Sequence, residues 1–165
     1  LADNIKQGDA HNLDFPDDSF DLVVSIAVFE HLHSPWIAIK EVSRVLKKGG
    51  LFLGTVAFLE PEHGNSYFHM TKRGMSKIIE EGGLVEEFIE PVKGWNVATS
   101  MKILPIPGIK LYNRLRSFLV FGLRSFMLNL RIMTLRGERK IRALKFKEGE
   151  RYRYSGSFLF LAKKD

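Results

Sequence analysis

The sequence predicts an α/β fold with a doubly wound sheet and a helical insertion before the last strand. Three observations carry that expectation. Phe20-Asp21-Leu22-Val23-Val24-Ser25-Ile26 is a near-continuous β-branched and apolar run, the pattern of a strand buried on both faces. Downstream, strand and helix patterns alternate, which is the rhythm of a sheet with crossover helices. After residue 101 the composition shifts to long apolar runs mixed with arginine.

Each element has its own signal. Asn4 to Ala10 reads as a short strand, and His11 to Ser19, with Pro16 and adjacent aspartates, as a connecting loop. Phe20–Ile26 is the clear strand. Ser34-Pro35 offers an N-cap and a proline at the first helical position. Trp36, Ile39, Val42, Val45 and Leu46 then recur at helical spacing, and Lys47-Lys48-Gly49-Gly50 supplies a basic last turn and a glycine stop. The spacing therefore predicts a helix of about four turns. Leu51 to Ala57 is a second buried strand, and 58–70 a loop without period. Thr71 can cap a helix through Ile78 and Ile79 that stops at Gly82-Gly83. Leu84 to Glu90 alternates as a strand, 101–147 reads as helical, and Ser155 to Ala162 closes the chain as a strand through Phe158 and Phe160.

With 165 residues, 45% of them hydrophobic and 27% charged, the chain suits one globular domain rather than a disordered tail. It holds no cysteine, which excludes disulfides, thiolate metal sites and thiol nucleophiles and permits a reducing, cytoplasmic setting. The net charge of +6 conceals a division: residues 1–100 are net −6 and residues 101–165 net +12. Phe118 to Leu130 is interrupted by Arg124, so it falls short of the roughly 18–20 uncharged residues of a membrane span.

The run Gly8-Asp9-Ala10 through Asp21-Leu22-Val23-Val24-Ser25, then Glu30-His31-Leu32, Glu41 to Gly50 and the strand Leu51 to Thr55, stand in one linked order. That order resembles the middle of a class I S-adenosylmethionine-dependent methyltransferase of the small-molecule type, with its Rossmann-like sheet, over residues 3 to about 90. The resemblance implies S-adenosylmethionine as cofactor. It gives Asp9 the hydrogen bond from the adenine amine and Ala10 a backbone N–H toward the ring. An acceptor-only carboxylate suits an exocyclic amine, and an N–H suits a ring nitrogen. Without the motif, Asp9 would read as a solvated turn aspartate. Ser25 and Ile26 fall at the carboxyl end of their strand, the edge where open α/β sheets bind ligands. The resemblance sets them beside the methionine portion, with Ala27 and Val28 on the same edge. Asp21 lies at the strand's opening end and is read as ordering the loop.

His31 has two readings: a general base for the methyl acceptor, since imidazole titrates near neutrality, or a ring packed in its loop. Tyr67 and His69 resemble the family's substrate-facing loop. No metal is expected, because Glu30, His31 and His33 are too close in sequence to converge without help from His63 or His69. The family's first motif, an acidic residue and a glycine-rich turn, has no counterpart in these residues. The expectation is an N-terminally truncated domain, one that binds cofactor weakly by itself and is inactive alone.

Between Lys110 and Lys147 stand eleven basic residues and one acid, Glu138. On an ideal helix Tyr112, Leu115, Leu119, Leu123, Phe126, Leu130 and Met133 share one side, with Arg114, Arg124 and Arg131 off it. The pattern suits an anionic membrane surface, a lipid-like substrate, or a helical lid with solvated arginines; nucleic acid is disfavoured because the aromatics sit within the apolar face. Two function classes follow: methyl transfer to a small-molecule or lipid-like acceptor, or a noncatalytic membrane-associated or partner-binding module that keeps part of the fold.

Overall fold

The computed structural model describes residues 6–96, 99 and 122–165. Its elements among these residues are β1 (Phe20–Ile26), a 3-10 turn (Phe29–His31), α1 (Pro35–Val45), β2 (Leu46–Ala57), α2 (Lys72–Glu81), β3 (Leu84–Pro91), α3 (Leu123–Thr134), α4 (Gly137–Arg153) and β4 (Ser157–Lys164). The four strands form one sheet in the order β1-β2-β4-β3, so the last strand of the chain enters between β2 and β3. β1 and β2 pair in parallel through the α1 crossover, as expected of this class.

The chain divides into two compact units. The first comprises Leu1–Phe58, Glu62–Glu90 and Phe158–Asp165; the second comprises Leu59–Pro61 and Pro91–Ser157. The core of the first is built from Ile39, Val42 and Val45 of α1, Met75 and Ile79 of α2, Phe52 and Val56 of β2, and Phe158 and Phe160 of β4, all buried. Phe52 meets Phe160 at 4.9 Å between ring centroids. α2 begins as expected: the Thr71 side chain accepts a hydrogen bond from the Gly74 N–H, and the helix ends at Gly82. A Cβ on Gly82 would stand 2.6 Å from Ile39 Cγ1, so its lack of a side chain lets the end of α2 approach α1.

Several expectations need correction. Residues 6–10 form no strand; within them only Asp9 makes an isolated bridge, to Asn12, while Asn4 and Ile5 lie outside the described residues. α1 spans 11 residues and stops at Val45, because Leu46 is already extended and pairs with Phe20. The stretch Lys47–Gly50 is therefore not a helical stop. It is a bulge in β2: Phe20 faces Leu46 and Leu22 faces Leu51, and Gly49 takes φ +79°. Ser34 does not cap α1 with its side chain; its hydroxyl shares a hydrogen bond with His33 Nδ1 at 2.9 Å.

β1 is not buried on both faces either. Val23 and Ser25 turn inward, but Leu22, Val24 and Ile26 are 50%, 54% and 58% exposed, because β1 is an edge strand whose other face has no covering layer among the described residues. The expected helical region from 101 is described only from residue 122. There it is two helices, broken at Leu135-Arg136, where Gly137 takes φ +57°. Within the second unit, α3 is tied to α4 by Arg124, which pairs with Glu150 at 2.9 Å and lies over the Tyr154 ring. Arg124 thus joins two helices while its side chain stays 48% exposed. No described helix is long and apolar enough to cross a membrane.

Candidate functional site at the carboxyl edge of the sheet

At the end of β1 the backbone makes a turn that the sequence does not announce. Ala27 takes φ +51°, a left-handed conformation uncommon for a residue with a Cβ, and its N–H donates to the Thr55 carbonyl and hydroxyl of β2, both at 3.2 Å. This swings the chain off the sheet into the 3-10 turn. The buried Phe29 anchors that turn on Phe52, and the next two residues, Glu30 and His31, are set above the strand ends.

The loop 58–70 closes over this turn. The Glu30 carbonyl accepts the N–H groups of Tyr67 at 2.7 Å and Phe68 at 3.1 Å. Gly64, at φ +52°, lets the loop approach the His31 ring so closely that a Cβ there would lie 3.1 Å from His31 Cε1. His63 stands edge-on to His31 at 5.2 Å between centroids, and His69 lies 5.9 Å from His63, with its Nε2 sharing a hydrogen bond with Ser66 Oγ. Glu30 is only 1% exposed, and its Oε2 has no hydrogen-bond partner; the buried His31 Nδ1 has none either.

The structure thus brings His31, Tyr67 and His69 into one neighbourhood, and it links this to Asp9. His11 stacks on His33 at 4.1 Å, and His33 meets the Tyr67 ring at 6.2 Å. Asp9 itself opens a tight turn. Asn12 N–H donates to the Asp9 carbonyl at 3.1 Å, while Asp9 Oδ1 accepts the His11 N–H at 2.9 Å and contacts His11 Nδ1 at 2.7 Å. The His11 N–H and ring hold the Asp9 carboxyl below the usual carboxylate range. Asp9 is therefore a turn-forming aspartate whose side chain remains largely exposed to a ligand. Ser25 is buried with an unpartnered Oγ, and Ile26 is exposed at the strand end. Asp21 pairs with Lys47 on the β2 bulge, not with the preceding loop.

Arg44 is the residue that sequence reasoning missed. Its Nε and Nη2 donate to the two Glu41 carboxylate oxygens at 2.9 and 2.8 Å. Nη1 reaches the Phe15 carbonyl and Asp17 Oδ1 at 2.8 and 2.7 Å, and Nη2 also reaches the Leu13 carbonyl at 2.8 Å. Glu41 Oε2 in turn accepts the Leu13 N–H at 2.8 Å. The Arg44 guanidinium holds the Glu41 carboxyl below its usual range, against the opposing effect of burial. This pair fastens α1 to the segment that follows the Asp9 turn. In sequence, Glu41 and Arg44 look like an ordinary helical i,i+3 surface pair.

In the second unit, a cavity of about 340 Å³ is lined among others by Trp95, Arg124, Leu128, Lys147, Glu150 and Tyr154. On α3, Leu123, Phe126, Leu130 and Met133 are exposed, whereas Ile132 is buried. Tyr112, Arg114, Leu115, Arg116 and Leu119 lie outside the described residues.

Residues 2–54 match the family described as "Methyltransferase domain". The uncharacterized methyltransferase YcgJ of Bacillus subtilis is 46% identical over 48 residues, which are 29% of this chain and 19% of that protein. Phosphatidylethanolamine N-methyltransferase of Cereibacter sphaeroides is 41% identical over 46 residues, 28% of this chain and 23% of that protein. The crystal structure of a putative methyltransferase from Bacillus halodurans superposes on 96% of this chain and 70% of its own, with a TM-score of 0.54 at 20% identity. The matched stretch thus spans about a fifth of these curated relatives. The fold is a mixed α/β, Rossmann-like architecture, and the matched residues contain the Asp9 turn, β1, the 3-10 turn and α1.

Proposed function

We propose that this protein takes part in S-adenosylmethionine-dependent methyl transfer to a small-molecule or lipid-like acceptor. The observation that carries the reading is the linked edge. The Asp9 turn and the loop bearing Tyr67 and His69 are joined through the His11–His33 stack, and that loop hydrogen-bonds to Glu30 in the turn that follows β1. The residues present fit the cofactor: Asp9 keeps an exposed carboxylate at a turn, and Ser25 offers a buried hydroxyl with no partner of its own.

When bound, S-adenosylmethionine supplies an activated methyl group on a sulfonium. The chain's own residues bind and orient. Asp9 accepts from the adenine amine, Ala10 N–H donates to the ring, and Ser25 and Ile26 border the methionine end. His31, Tyr67 and His69 stand on the acceptor side. The transfer is an in-line displacement, so alignment of acceptor and sulfonium supplies most of the rate. A lipid-like acceptor is supported by the name of the Cereibacter sphaeroides relative and by the exposed apolar stripe on α3 beside a strongly basic segment. That stripe also supports contact of residues 110–147 with an anionic membrane surface.

Backbone amide NMR during titration with S-adenosylmethionine, which reads even millimolar contacts, tests the cofactor assignment. Shifts should concentrate at residues 9–11 and 25–28. In Asp9→Ala the dissociation constant should rise roughly tenfold, the loss of one hydrogen bond to a charged group. Shifts confined to α3 and α4, or an unchanged affinity in Asp9→Ala, would overturn the reading.

A further inference from the structure

We propose that Glu30, His31 and His63 form a binding site for a divalent first-row cation, with zinc the best match. One ligand atom from each of the three lies within 4.8 Å of the others. Ligands at the usual zinc distance of roughly 2.0–2.2 Å stand about 3.3–3.6 Å apart in a tetrahedral shell, so side-chain rotations that draw the three groups together by about 1 Å close the site. Two imidazoles and one carboxylate, without a thiolate, form a donor set that suits zinc and leaves a coordination position open.

The burial of these groups is the second, independent observation. Glu30 is 1% exposed, yet Oε2 has no hydrogen-bond partner, and the buried His31 Nδ1 also lacks one. A buried carboxylate oxygen and a buried ring nitrogen left unpaired are each costly, and native proteins seldom keep them without an ion or water. A cation held by this cluster supplies a partner to these side chains. The backbone is shaped for the convergence: left-handed Ala27 directs the chain into the turn carrying Glu30 and His31, and left-handed Gly64 and Asn65 bring the His63 loop onto the His31 ring. His63 is exposed and gives the cation a route from solvent, while His69 already pairs with Ser66 and is not needed.

The site revises the expectation that no metal binds. That expectation rested on Glu30, His31 and His33 being crowded in sequence. The structure supplies the help that convergence required, from His63, thirty-two residues beyond His31. It also alters what His31 can do, since a ring nitrogen that ligates a cation is not available to take a proton from an acceptor. The open position would instead receive an oxygen donor.

The test is calorimetric titration of the chelator-treated chain with Zn²⁺ near neutral pH, together with the visible spectrum after Co²⁺ addition. One cation per chain should bind, with Co²⁺ bands of low-coordinate nitrogen and oxygen ligation. His63→Ala, on an exposed loop and checked for native circular dichroism, should weaken binding by more than the roughly 10–100-fold that loss of an outer partner costs. Glu30→Gln should act in the same direction, and His33→Ala should change nothing. Absence of binding in the unaltered chain, or full affinity in a folded His63→Ala variant, overturns the site. The readout is the metal itself, so a negative result leaves the methyl-transfer reading untouched, and failure of that reading leaves this one testable.

Discussion

Replacing Arg44 by glutamine should loosen the segment that holds the Asp9 turn against α1. Two of the hydrogen bonds lost go to the Leu13 and Phe15 carbonyls from a charged donor, a class contributing about 1.5–3 kcal/mol each. Arg44 is 30% exposed, so water can replace part of this and the lower end applies. Asp17 is 72% exposed and adds at most about 1 kcal/mol. The expected loss is about 3 kcal/mol, which at a urea slope near 2 kcal/mol/M moves the midpoint down by about 1.5 M. Arg44→Lys is the informative companion. A lysine keeps the charge but cannot span Glu41, Asp17 and two carbonyls with one rigid fork, so it should recover less than half of the loss. Urea unfolding followed by circular dichroism measures both variants. If either lies within about 0.5 kcal/mol of the unaltered chain, the network is a surface arrangement of no energetic consequence and the reasoning fails.

The Glu41 carboxyl is held below its ordinary range in the folded state, so its contribution to stability is complete above that range and disappears as pH falls through the lowered value. The difference in urea midpoint between the unaltered chain and Glu41→Gln should therefore be constant near neutral pH and shrink in acid; a gap independent of pH would contradict it. Gly54→Ala places a Cβ 2.2 Å from the Ser25 carbonyl oxygen and 2.6 Å from Phe160 Cζ, so the β1–β2 pairing must part, at a cost beyond the usual 1–3 kcal/mol of overpacking. An unchanged thermal midpoint would show that the strands are not so closely set. Co-sedimentation with anionic vesicles at low salt should be lost when Arg114, Arg116 and Arg131 become glutamine, since about 1 kcal/mol for each amounts to roughly a hundredfold or more in affinity. Arg124 is left intact because it secures α3 to α4, and equal sedimentation of the two proteins would leave the basic segment a lid.

Much of the fold is legible because it depends on patterns that repeat. α2 announces itself through Thr71 at one end and Gly82-Gly83 at the other, and β4 through its alternating phenylalanines. The errors fall where a single local interaction outweighs the pattern. Lys47–Gly50 reads as a helix ending, but Leu46 gains a strand partner in Phe20 and the glycines absorb the mismatch as a bulge. β1 reads as fully buried, because hydrophobicity reports what a face would bury and not whether anything covers it.

The candidate site divides in the same way. Asp9, Ser25 and Ile26 could be nominated from the sequence because they lie in one continuous motif that ends at a strand edge. Glu30 and His31 were weighed as ligands that would need help from His63 or His69, but that help could not be shown, because their meeting depends on two loop conformations, left-handed Ala27 and Gly64, that leave little trace in the residue pattern. An alanine at positive φ gives no sequence signal at all, whereas Gly64 permits such a turn without requiring it. The hydrogen bonds from Tyr67 and Phe68 to the Glu30 carbonyl then fix the loop over the turn. They are made by backbone atoms, which every residue possesses, and so side-chain identities could place the loop near the strand edge but could not show which histidine it delivers there. That is why spacing could name His63 or His69 as the help that Glu30 and His31 would need without deciding between them, when the residue that arrives is His63.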